Sequence, residues 1–119
     1  MSARSFLVIA LLVSFGTSGG AEVNVRTNLD PDELAECLRD SGALFYGAHW
    51  CPNCRKQLAA FPPDSLPYVE CYDGPRSAGS NATCRDANVS AYPTWVFADG
   101  SRRRGALPPA VLAAAAGCY

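Results

Sequence analysis

Trp50-Cys51-Pro52-Asn53-Cys54 is the feature that most limits what this chain can fold into. Its two cysteines lie three apart, at the seam between two differently patterned runs. Ala43-Leu44-Phe45-Tyr46-Gly47-Ala48 is almost wholly apolar and reads as a buried strand. Cys54-Arg55-Lys56-Gln57-Leu58-Ala59-Ala60-Phe61 reads as a helix, with Pro52 in its first turn, where a missing N–H costs nothing. A strand feeding a helix at this point puts Cys51 beside unpaired backbone N–H groups and the positive end of the helix dipole. Both stabilise a thiolate. Cys54 falls one turn in, within reach for a disulfide. An attacking thiol with a resolving thiol beside it is what dithiol–disulfide exchange requires.

The N-terminus carries a different kind of information. Arg4 precedes an apolar stretch from Phe6 to Phe15, broken only by Ser14, and the small residues Gly16 to Ala21 follow. This is the pattern of a secretory signal peptide. The apolar run is about half the roughly 20 residues a spanning helix needs. The expectation is a cleaved leader over residues 1–21 and one small domain over residues 22–119. All six cysteines lie beyond the leader, which together with an export signal points to an oxidising compartment. The formal net charge of −1 and the lack of a long basic stripe argue against a nucleic-acid partner. Arg102-Arg103-Arg104 is the one basic run and reads as a solvated turn or edge strand.

Along the chain, Asn24 to Asn28 alternates briefly and reads as a first strand or a lead-in. Asp30-Pro31-Asp32-Glu33 is a helix start, with a capping Asp, Pro at the first position and acids in the first turn. Leu34, Ala35 and Leu38 then give helical spacing up to Ser41-Gly42. Phe61-Pro62-Pro63-Asp64 ends the cysteine-containing helix, and Leu66 to Tyr72 has strand composition. Asp73 to Asn81 is loop, Thr83 to Val89 a short helix, and Thr94 to Phe97 a strand. Asp99-Gly100 signals a hairpin to Ser101–Gly105. An alanine-rich helix over Pro108 to Gly117 closes the chain. The order describes a small α/β sandwich with helices on both faces of one sheet.

At this level of detail the chain resembles the thioredoxin superfamily. The strand–CxxC–helix unit, the Tyr92-Pro93-Thr94-Trp95 segment and the final hairpin and helix carry the likeness. A narrower set looks like the thioredoxin-like domain associated with bacterial and plant vitamin K epoxide reductase homologues. It comprises Tyr46 to Cys54, Pro67-Tyr68-Val69-Glu70-Cys71, Cys84, Tyr92 to Trp95 and Gly100. The resemblance implies a thioredoxin-like three-layer sandwich with a central mixed sheet. It also implies a thiol-disulfide oxidoreductase of oxidative protein folding, working without a cofactor in a periplasm, thylakoid lumen or similar compartment. In that family the soluble domain exchanges disulfides with substrate proteins and passes electrons to a membrane reductase. This sequence carries no membrane domain, so a separate membrane partner of the vitamin K epoxide reductase type is implied.

The family pattern also assigns roles and exposes departures. Cys51 is the attacking thiol and Cys54 the resolving one. Pro93 corresponds to a cis-proline beside the disulfide; with Tyr92, Trp50 and Pro52 it would shape a substrate groove. Reducing thioredoxins keep a buried aspartate six residues before the first cysteine, and here that position is Phe45. Its loss favours an oxidase or electron relay over a general reductase. Pro-Asn between the cysteines leads us to expect a potential inside the range of about −270 to −120 mV.

Other readings stand beside these. Cys51 and Cys54 could form a structural disulfide or half of a zinc site, but zinc sites take about four ligands, usually as two close pairs. Cys71 and Cys84 are far apart in sequence, so no metal is expected. They read as a structural disulfide stapling the Gly/Ser/Pro loop, with a second redox pair as the alternative. Cys37 and Cys118 stay unassigned, because the first and last helices of this fold usually pack on opposite sheet faces. Asn81-Ala82-Thr83 and Asn88-Val89-Ser90 fit a glycosylation sequon and read as chance matches. The functional rivals are a redox-inactive binding module and an independent disulfide oxidase or isomerase.

Overall fold

A computed structural model describes residues 29–119. The leader expected over residues 1–21 and the short alternating stretch Asn24–Asn28 lie outside the described residues. Within them the chain runs α1 (Pro31–Asp40), β1 (Leu44–Gly47), α2 (Pro52–Ala59), β2 (Tyr68–Glu70), a 3-10 turn (Arg76–Ala78), α3 (Ala82–Asp86), β3 (Thr94–Val96), β4 (Arg102–Arg104) and α4 (Pro109–Ala116). This is a thioredoxin-like α/β architecture.

The helix boundaries follow from their capping residues. Asp30 accepts the Glu33 N–H at 2.9 Å, with Pro31 at the first helical position. Asn81 caps α3 by accepting the Cys84 N–H at 3.2 Å. Its amide nitrogen also donates to the Glu70 carbonyl and the Asp73 carboxylate, at 2.7 and 3.0 Å. These three contacts build the asparagine of the first sequon into the fold as the cap of α3. α3 stops at Asp86, short of the Val89 expected from sequence. Asn88 has a φ of 56°, a left-handed conformation that no helix continues through. Gly117, at φ 74°, ends α4 in the same way and exposes the Ala113 and Ala114 carbonyls to its N–H.

The sheet has the order β2-β1-β3-β4. β1 and β2 are parallel, with Phe45 opposite Tyr68 and Gly47 opposite Glu70. β1 and β3 are antiparallel, with Phe45 opposite Trp95, and β4 pairs antiparallel with β3 at the edge. The three arginines of β4 are all exposed there, as suits a solvated edge strand.

The register sorts the side chains into two layers, because paired residues share a face. Phe45, Gly47, Tyr68, Glu70 and Trp95 point to one side. Phe45 stacks on Trp95 at 4.7 Å between ring centroids and touches Tyr68 at 5.5 Å. Leu34 and Leu38 of α1, Cys54 of α2 and Leu112 of α4 complete this larger core. On the other side, Tyr46 packs with Val89 and with the disulfide-bonded Cys71 and Cys84.

One expectation is corrected here. α1 and α4 do not pack on opposite faces; they pack against each other within the larger core. Cys37 and Cys118 are joined across that contact, with their Cα atoms 5.9 Å apart. The physical reason is that both helices carry apolar stripes, Leu34-Ala35-Leu38 and Leu112-Ala113, which bury against the same layer.

Candidate active site

β1 delivers the chain to the site, and α2 starts it again. Cys51 is the N-cap of α2, with extended backbone (φ −84°, ψ 116°), and its Sγ accepts the N–H of Cys54 at 3.2 Å. A sulfur that accepts a helix N-terminal N–H is placed where negative charge is favoured. Cys51 and Cys54 are both free thiols and both buried, at 4% and 0% exposure. Burial first, then hydrogen bonding to Cys51, pushes the Cys54 thiol up to about 12. The negative charge of Glu70 adds to that shift. At neutral pH Cys54 is therefore a protonated thiol beside a sulfur that receives a hydrogen bond.

Gly47 makes room for this pair. A Cβ built there would lie 2.6 Å from Cε2 of Tyr68 and 3.2 Å from Sγ of Cys54. No side chain fits between the tyrosine ring and the thiol. The helix is fixed from its far side by Gln57, buried at 2% exposure. Its Oε1 accepts from Trp95 Nε1 at 3.2 Å and from the Leu107 N–H at 2.7 Å, while Nε2 donates to the Leu107 carbonyl at 3.2 Å. A polar residue in a helical run gives no warning of this knot, which ties α2 to the core tryptophan and to the approach of α4.

The rim is aromatic. Trp50 meets Tyr72 and Tyr92 edge-on, at 5.1 and 5.9 Å between centroids, and those tyrosines meet each other at 5.5 Å. The Arg76 guanidinium lies 4.0 Å from the centre of the Trp50 ring. Trp50 and Tyr92 are half-buried, Pro52 is exposed and Pro93 is buried. The Tyr92–Pro93 bond is cis. Tyr72 and Arg76 were not singled out in the sequence. Both belong to the segment closed by the Cys71–Cys84 disulfide, whose Cα atoms are 5.5 Å apart. That closure returns the loop over Trp50.

Cys71 and Cys84 are bonded to each other and so are not available with Cys51 and Cys54 as metal ligands. Among the described residues, no group of three or more His, Cys, Asp or Glu side chains is placed to hold a metal ion. His49 turns away from the thiols, and its Nε2 lies 2.8 Å from the Gly74 carbonyl.

Fold and site together define a thioredoxin-like domain with a mixed sheet, a dithiol at a helix N-terminus and a cis-proline segment. No family model matches the chain. It is, however, 37% identical over 71 residues to a curated Arabidopsis thaliana protein, thiol-disulfide oxidoreductase LTO1. The match takes in 56% of this chain and 19% of that relative, so the chain spans about a fifth of the relative's length. This likeness supports a thioredoxin-like redox family for the chain.

Proposed function

We propose that this protein is a thiol-disulfide oxidoreductase that oxidises substrate proteins through Cys51 and Cys54. The observation that carries the reading is the pair itself: two free buried thiols, with Cys51 capping α2 and Cys54 held protonated one turn behind. A substrate thiolate attacks Sγ of Cys51 in the disulfide form, and Cys54 leaves. A second substrate thiol then displaces Cys51 from the mixed disulfide. The substrate gains a disulfide, and the domain is left as the dithiol.

The dithiol must be reoxidised. The electron acceptor in this reading is a membrane reductase of the vitamin K epoxide reductase type, in keeping with the resemblance of the CPNC and Tyr92-Pro93-Thr94-Trp95 segments. No helix among the described residues is long and apolar enough to cross a membrane. The docking surface in this reading is the half-buried aromatic rim of Trp50 and Tyr92 with the exposed Pro52. The Cys54→Ser protein, expressed with its N-terminal segment in the native host, should capture such a reductase as a mixed disulfide. Trp50→Ala should weaken that capture while leaving reactivity towards small disulfides intact. Capture of soluble exported proteins alone would favour an independent oxidase or isomerase.

A further inference from the structure

The exchange chemistry leaves one proton without an acceptor. When Cys54 resolves a mixed disulfide on Cys51, its thiol must lose a proton, yet it is fully buried and strongly protonated. The strand position six residues before Cys51 holds Phe45, which cannot take that proton. The neighbouring strand holds a carboxylate on the same face. Glu70 of β2 pairs with Gly47 of β1, and Tyr68 pairs with Phe45, so Glu70 and Tyr68 share the layer that α2 covers. Gly47 has no side chain to separate Tyr68 from the thiol: a Cβ there would be 3.2 Å from the Cys54 sulfur and 2.6 Å from the Tyr68 ring.

Glu70 is held in place. One carboxylate oxygen, Oε2, accepts the backbone N–H groups of His49 and Tyr72 at 3.2 and 3.4 Å. Burial first, and then the negative charge of Glu70, keep the hydroxyl of Tyr68 protonated. The ionisable groups acting on Cys54 are thus Cys51 at the start of its own helix and Glu70 from the strand beneath, with Tyr68 alongside.

We propose that Glu70 is the proton acceptor for Cys54, supplied from β2 where the equivalent position on β1 is Phe45. This rests on the exchange reaction proposed above. In the resolving step the Cys54 sulfur bonds to the Cys51 sulfur, and the bond from Cys51 to the partner sulfur breaks. The partner leaves as a thiolate, and the Cys54 proton passes to the Glu70 carboxylate. The dithiol is oxidised by two electrons and the partner disulfide is reduced by two. In the opposite direction protonated Glu70 returns the proton to Cys54 as it leaves.

An aromatic disulfide such as 5,5′-dithiobis(2-nitrobenzoate) separates the two steps. Attack by Cys51 releases one coloured thiolate, and closure by Cys54 releases a second. Glu70→Gln keeps an oxygen for the His49 and Tyr72 N–H groups but cannot accept the proton. It should leave the first phase unchanged and slow the second at pH 7 on the order of 100-fold, the lower end of what a positioned base contributes. The second phase should be flat across neutral pH in the wild type. In Glu70→Gln it should climb about tenfold per pH unit as hydroxide takes over, and Glu70→Asp should fall between. An unchanged second phase in Glu70→Gln, or one slowed equally at every pH, overturns the proposal. A wild-type protein that shows no first phase overturns the exchange reading instead.

Discussion

Replacing Cys37 and Cys118 by alanine should destabilise the domain more than any other loss of a covalent bond. The two residues are 81 apart in sequence, against 13 for Cys71 and Cys84. In the chain-entropy treatment, a cross-link stabilises by restricting the unfolded chain, and the effect grows with the logarithm of the loop. That gives about 4.5 kcal/mol for the long loop and about 3 kcal/mol for the short one. Small domains have only about 5–15 kcal/mol in total, so the first loss takes much of it. For a domain of this size, 4.5 kcal/mol lowers Tm by roughly 20–35 °C. The assay is thermal and urea unfolding of the two double-alanine variants under oxidising conditions. Every protein should also carry Cys51→Ala and Cys54→Ala, so that no free thiol can reshuffle the remaining bond. If the Cys37/Cys118 variant loses no more than the Cys71/Cys84 variant, the unfolded-state argument is wrong for this protein. A loss of both folds at room temperature would call for the same comparison in a stabilising osmolyte.

Three further outcomes can be measured directly. Cys51→Ser should abolish disulfide exchange, whereas Cys54→Ser should accumulate mixed disulfides that a non-reducing gel detects; many turnovers by Cys54→Ser would reverse the assigned roles. Because the folded Cys54 thiol is raised from 9.0 to about 12, the unfolded chain ionises first. Stability of the reduced protein should therefore be intact below pH 9 and fall as the pH rises towards 12, by more than in Cys54→Ala, as urea titrations at several pH values would reveal. Gly47→Ala places a methyl 2.6 Å from Tyr68 and should cost about 1–3 kcal/mol by overpacking; an alanine variant as stable as the wild type would mean that the ring yields freely.

The sequence was informative wherever short-range physics decides. Asp30-Pro31 announced the start of α1, and Pro52 after Cys51 announced α2, because caps and first-turn prolines act over three or four residues. The alternation of apolar strand and helical runs was enough for the α/β class. Even the dithiol was legible, since its spacing of three is one helical turn. What the sequence could not hold is what depends on which surfaces meet. The Cys37–Cys118 bond follows from α1 packing on α4, a contact between residues 81 apart that no local pattern encodes. Gln57 became a buried knot only because Trp95 and Leu107 arrive there with unpaired groups. Glu70 looked like one more polar position in a strand until the parallel register set it opposite Gly47, the residue whose missing side chain leaves room for Cys54. Local preference fixed the pieces and the nucleophile's helix. Strand register and helix packing decided which charges and thiols those pieces would share.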